Sequence, residues 1–168
     1  MSFPKDHLES LWSPWRVEYF QRSPDAPRDF LLEAANATDD AEHQVVTRRK
    51  TSFLMLNRYP YASGHLMAVP YRKVAGMDEL TEDESREIWE LCLHAQRLLK
   101  LVVKAQGFNV GVNLGSAGGA GCAEHIHFHI VPRWEGDSNF MPVIGGTRIL
   151  PDALDRVYRA LVEAQTGL

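Results

Sequence analysis

Apolar and polar positions change period several times along this 168-residue chain, and each change marks an element. Phe53-Leu54-Met55-Leu56 is a short strand candidate. Asn57 to Gly64, carrying Pro60, Ser63 and Gly64, supplies a turn before a second strand at His65 to Val69, so a hairpin is expected. Thr81-Glu82-Asp83-Glu84 has capping-box spacing. Ile88, Leu91, Cys92, Ala95, Leu98, Leu99 and Val102 then recur on one helical face, predicting a long helix that runs up to Gly107. Phe108 to Leu114 alternates as a strand, and Gly115 to Gly121 forms a loop of small residues. Pro151 is placed to open a final helix that turns Leu154, Val157, Tyr158 and Leu161 inward. The expected class is α+β.

The strand after the glycine-rich loop is the most informative segment, His125-Ile126-His127-Phe128-His129 running into Ile130-Val131-Pro132. Side chains of an extended strand alternate faces, so Ile126, Phe128 and Ile130 would enter a core while the three histidines share the opposite face. Same-face neighbours lie roughly 6.5–7 Å apart at Cα. One anionic group could therefore touch the middle imidazole and a neighbour. Histidine can attack as a neutral base, carry a transferred group or donate a proton near neutral pH. Spacing alone leaves three readings open: covalent or acid–base catalysis, a metal site, and structural polar residues in a cleft. If the four strands are adjacent, Asn57, His65 and Asn113 come close to the histidine row. The loop offers backbone N–H groups to phosphate oxygens, although Gly115 to Gly121 is neither a Walker A loop nor a dinucleotide-binding fingerprint.

Composition fixes the setting. With 45% apolar and 24% charged residues, the chain suits one globular domain spanning 1–168. No run is long enough for a spanning helix, and Lys5, Asp6, His7 and Glu9 occupy the place of a signal-peptide apolar segment, so a cytoplasmic protein without a membrane partner is expected. Cys92 and Cys122 are too few and too far apart for a disulfide framework. A net charge of −4 gives no global attraction to nucleic acid, and a small anionic ligand would need a local pocket. Trp12, Trp15 and Trp134 read first as core or interface residues.

His125-Ile126-His127-Phe128-His129-Ile130-Val131 matches in full the His-φ-His-φ-His-φ-φ pattern of the histidine-triad (HIT) hydrolases and transferases, with φ apolar. The resemblance extends through Phe53 to Pro60, Gly64-His65-Leu66 and the Asn113 strand, covering a core of about 50–135. Val131 to Met141, with Leu11-Trp12-Ser13-Pro14-Trp15-Arg16, resembles the bacterial branch that includes diadenosine tetraphosphate phosphorylases.

The resemblance implies a HIT-like fold, a largely antiparallel sheet with one long packed helix and a C-terminal helix, in homodimers whose sheets join. It implies no cofactor and no metal. His127 Nε2 would attack the α-phosphorus of a nucleotide and form a nucleotidyl-histidine, which water or inorganic phosphate resolves. The His125 carbonyl would fix the His127 tautomer. His129 and Asn113 would contact the phosphoryl group, Asn57 the ribose, and His65 would order the triad. Dinucleoside polyphosphates become the expected substrates. Nucleoside phosphoramidates are a second possibility, and a non-catalytic nucleotide-binding module a third. Asn57 and Asn113 could equally cap turns.

Two departures from the family stand out. Many small members carry Gln-Ser or Gln-Thr shortly before the triad, where this chain has Gly121-Cys122-Ala123-Glu124. Ser116 and the N–H groups through Gly119 and Gly121 are the expected substitutes. The N-terminal Cys-x-x-Cys that holds a structural zinc in several bacterial members is absent near Asp29-Phe30-Leu31, so no zinc is expected.

Overall fold

Five short strands form one antiparallel sheet in the computed structural model, which describes residues 29–137 and 154–167. In chain order they are β1 (Val45–Arg48), β2 (Ser52–Leu56), β3 (Leu66–Pro70), β4 (Gly107–Val112) and β5 (Phe128–Arg133). Their order across the sheet is β1-β2-β3-β5-β4. Among the described residues three α-helices accompany the sheet: α1 (Phe30–Asn36), α2 (Glu82–Val102) and α3 (Leu154–Ala164). The architecture is the α+β one expected from the sequence. The pattern at Leu11 to Arg16, the stretch 138–141 and Pro151 lie outside the described residues.

Alternation decides which face each strand residue serves. Leu54, Leu56, Leu66, Ala68 and Ile130 face α2, where Ile88, Leu91, Cys92, Ala95, Leu98 and Leu99 meet them in the larger core. The intervening Phe53, Met55, Met67 and Val69 face the other way and pack on Leu31 and Ala34 of α1. Met67 pairs with His129 and Leu66 with Ile130 across β3 and β5. His129 therefore lies on the α1 side. This places His129 on the face not filled by α2.

The Thr81 hydroxyl caps α2 at Glu84 N–H, and Glu84 returns a carboxylate oxygen to Thr81 N–H. Arg72 binds the same buried carboxylate at 2.8 and 2.7 Å and, helped by Thr81, holds it down to about 2. The helix ends five residues before the Gly107 expected as its stop. Lys104 takes φ +53° and does the turning usually left to glycine, and Ala105 N–H returns to the Leu99 carbonyl.

Gly64 makes the close approach between the β2–β3 turn and α2. It sits at φ +81°, and a Cβ there would lie 2.9 Å from Leu99 Cδ2. Gly64→Ala should cost about 1–3 kcal/mol through backbone strain and overpacking. Urea unfolding of both proteins checks this, and an unchanged midpoint would mean that Leu99 yields freely.

Candidate active site

His127 and His129 line a cleft on the α1 side of the sheet, together with Asn57, Asn113 and Gly121 from the sequence reading. Phe30, Tyr59, Tyr61, Met67 and Cys122 complete its wall. The expectation that all three triad histidines share one strand face is corrected. β5 begins only at Phe128, because the preceding segment is committed to other bonds: His125 N–H to the Cys122 carbonyl and Ile126 N–H to the Val74 carbonyl. His125 is fully buried and points away, donating Nε2–H to the Pro70 carbonyl at 2.9 Å.

A carbonyl can only accept, so each such contact fixes a tautomer. His127 Nδ1 lies 2.8 Å from the His125 carbonyl and must donate to it, which leaves a lone pair on Nε2. Burial holds the His127 imidazole below its ordinary value, outweighing the carbonyl contact that raises it. The ring is neutral at neutral pH and keeps that lone pair.

His65 is set from the opposite direction. Its Nδ1 accepts from Tyr61 N–H at 3.1 Å and faces Asn57 Nδ2 at 3.3 Å. Its hydrogen therefore lies on Nε2, which donates to His129 Nδ1 at 2.9 Å. A neutral His129 then carries its own hydrogen on Nε2. The ring centroids of His127 and His129 are 4.9 Å apart, so a lone pair and an N–H donor stand side by side. Tyr61 packs against both His65 and His129.

The loop contributes less than its composition suggests. Gly119 N–H binds the Ser116 carbonyl, and Ala120 N–H binds the Gly115 carbonyl. Asn113 Nδ2 reaches the Gly119 carbonyl at 3.5 Å, while Ser116 and Gly119 are exposed and do not line the cleft. Arg133 lies at the far end of β5 and does not line the cleft. It pairs with Asp137 and Asn109.

Sequence reasoning missed Phe30, Tyr59, Tyr61 and Asp29. Asp29 caps α1 by accepting from Leu32 N–H at 3.0 Å and lies 3.6 Å from His125 Nδ1. Its signal was present as an Asp before an apolar run, a familiar N-cap pattern. Among the described residues no group of three or more His, Cys, Asp or Glu side chains could hold a metal ion. No described helix is long and apolar enough to cross a membrane.

A family model described as the HIT domain matches residues 38–136. The chain is 42% identical over 165 residues to an AP-4-A phosphorylase of Mycobacterium tuberculosis, covering 94% of this chain and 84% of that protein. It is 31% identical over 94 residues to the asymmetrical bis(5'-nucleosyl)-tetraphosphatase of Schizosaccharomyces pombe, covering 56% and 51%. In fold it resembles a Zn-bound histidine triad family protein from Mycobacterium smegmatis, with TM-score 0.61, 22% identity, and coverage of 73% of this chain and 84% of that one. The pattern in the sequence, the sheet that presents it and these likenesses agree: the chain belongs to the HIT domain family.

Proposed function

We propose that this protein is a histidine-triad enzyme that moves a nucleotidyl group from a dinucleoside polyphosphate, diadenosine tetraphosphate first, to inorganic phosphate. The observation that carries this reading is the Nε2 lone pair of His127 in a cleft, in a chain 42% identical over nearly its whole length to an AP-4-A phosphorylase. The Schizosaccharomyces pombe relative is likewise named for an activity on a dinucleoside tetraphosphate.

The chemistry follows from the tautomers. His127 Nε2 forms a bond to the α-phosphorus, the bond to the leaving polyphosphate breaks, and that electron pair goes to the departing oxygen. His129 Nε2–H donates to a phosphoryl oxygen, where charge grows in the transition state. Phosphate then attacks the same phosphorus and returns the electron pair to His127. Asn113 contacts the phosphoryl group and Asn57 the ribose, while His65 orients His129. Gly121 lines the cleft and is the loop's main contribution. The Ser116 hydroxyl, exposed on the same loop, is a further proposed donor, and Gly119 contributes by holding Asn113. His125 orients His127 through its carbonyl.

Phosphate is bulkier than water and needs room. Gly121 and Cys122 stand where many relatives carry larger polar pairs, which favours phosphate as acceptor. Incubation with diadenosine tetraphosphate in phosphate buffer should give ADP plus ATP. AMP plus ATP at a rate indifferent to phosphate would make it a hydrolase instead, and binding with no turnover would make it a nucleotide-binding module.

A second copy of the chain is the proposed partner. β1 is one edge of the sheet, and there Tyr158 and Gln165 of the C-terminal segment donate to the Val45 and Val46 carbonyls. At the other edge, Asn109, Val110 and Gly111 of β4 are exposed, as are Trp89 and Leu93 on α2. An open edge with apolar neighbours invites pairing. Light scattering at micromolar concentration should report twice the 19.0 kDa chain mass. A fully active monomer would reject the dimer.

A further inference from the structure

Behind the triad lies a buried charge that the reaction scheme above does not use. The Asp29 carboxylate is nearly enclosed, with 11% of its side chain exposed, and lies beside His125 without lining the cleft. Its Oδ1 is 3.6 Å from His125 Nδ1, a Coulombic rather than hydrogen-bonding separation, and 3.5 Å from the Cys122 thiol, which donates to it. Its Oδ2 is 3.1 Å from Lys73 Nζ, and Lys73 also meets Glu124 at 2.9 Å. Helix capping explains only one of these contacts.

A buried carboxylate is costly unless something in the native or reacting state uses its charge. When His127 attacks phosphorus, it keeps its Nδ1 hydrogen and spends its Nε2 lone pair. The ring therefore becomes a cation at that step and returns to neutral when the acceptor displaces it. We propose that Asp29 is a positioning residue whose negative charge, set beside His125, stabilises the positive charge that His127 acquires while it carries the nucleotidyl group. This rests on the nucleotidyl-transfer reading of the cleft. Asp29 touches neither substrate nor His127, and acts through His125 and through space.

The surrounding groups set its effective strength. Burial alone would raise the Asp29 carboxyl. The Leu32 N–H, Lys73 and His125 outweigh that and hold it below the usual carboxylate range, so it is ionised at neutral pH. Lys73, on the segment after β3, offsets part of the charge and is itself shared with Glu124 on the triad loop. The Cys122 thiol, pushed up to about 12 by burial and then by Asp29, stays neutral. Among the described residues, His125 is a titratable neighbour of Asp29 and His129 one of His127. Asp29 raises the proton affinity of His127, the same sign of interaction that a nucleotidylated ring would feel.

Two variants shift the charge in opposite directions. Asp29→Asn keeps the shape and the helix cap, since Asn is as good a cap as Asp. It should lower kcat about tenfold with KM little changed, and move the acid limb of kcat/KM down by about 0.5 in pH. Lys73→Met removes the offsetting cation and should move that limb upward. Structural damage has no reason to give shifts of opposite sign. The same two shifts should appear in an NMR titration of the His127 ring, which needs no turnover. An NMR titration that moves as stated in a protein that does not cleave diadenosine tetraphosphate would spare the electrostatic coupling and defeat the enzymatic reading. An unmoved His127 titration in Asp29→Asn would overturn the proposal outright.

Discussion

Replacing His127 by asparagine should lower turnover of diadenosine tetraphosphate by several orders of magnitude while leaving much of the nucleotide affinity. The reason lies in what the ring does rather than what it fills. Asn can accept or donate at roughly the position of Nδ1, so the contact with the His125 carbonyl can be kept. It offers no nucleophilic lone pair to phosphorus, and covalent catalysis splits a difficult displacement into two easier ones. Loss of an interaction made only in the transition state lowers kcat and kcat/KM together. Rapid alkaline quench of the native enzyme, which spares the acid-labile phosphorus–nitrogen bond, should trap a protein-bound nucleotide at this position, and the variant should trap none. Turnover in the variant within tenfold of native would move the nucleophile elsewhere, with His129 the first place to look.

How far the sequence reaches depends on the range over which its signals act. Local signals located β2, β3, β4 and α2 to within a few residues, because short apolar runs bounded by turn residues and the apolar face of α2 are written in neighbouring positions. α1 and β1 went unassigned. Each is short, and its burial depends on partners far away in sequence: Leu31 and Ala34 on the sheet, and Tyr158 on Val45. The end of α2 was misplaced because a lysine turns the chain where a glycine was sought. These are tertiary effects overriding local rules.

The site divides in the same way. His127, His129, Asn57 and Asn113 were legible because the spacing of two and the turn before β3 bring them to one cleft. The orientation of His125 was not. Strand alternation assigns it to the same face as His127, and only the turn at Cys122 and the bond from Ile126 to Val74 show that the strand has not yet begun. Tyr59 and Tyr61 follow Asn57 by two and four residues, yet nothing in an aromatic turn residue says that its backbone N–H will fix a histidine. Asp29 is separated from His125 by almost a hundred residues, so its charge reaches the triad only through the fold.

His65→Leu should be the second most damaging change, and it should act on stability and rate at once. In the native protein His65 joins three groups: it accepts from Tyr61 N–H and Asn57 Nδ2, and donates to His129 Nδ1. Leucine satisfies none of them in a position with no solvent exposure. Unpaired buried polar groups cost about 1–3 kcal/mol each, so a total loss of about 2–4 kcal/mol is expected after partial relaxation. The effect on rate has a separate origin. Without a donor at Nδ1, His129 can carry its hydrogen on either nitrogen, and the tautomer with Nδ1–H presents a lone pair to a phosphoryl oxygen instead of a donor. Removing one preorganised donor to developing charge lowers kcat about 100-fold or more. His65→Gln separates the two effects, because its amide N–H can reach toward His129 and restore part of kcat even where stability stays reduced. Chemical denaturation and steady-state kinetics on both variants check this. If Gln and Leu fall equally in kcat while differing in stability, His65 supports the fold alone and does not set the proton on His129.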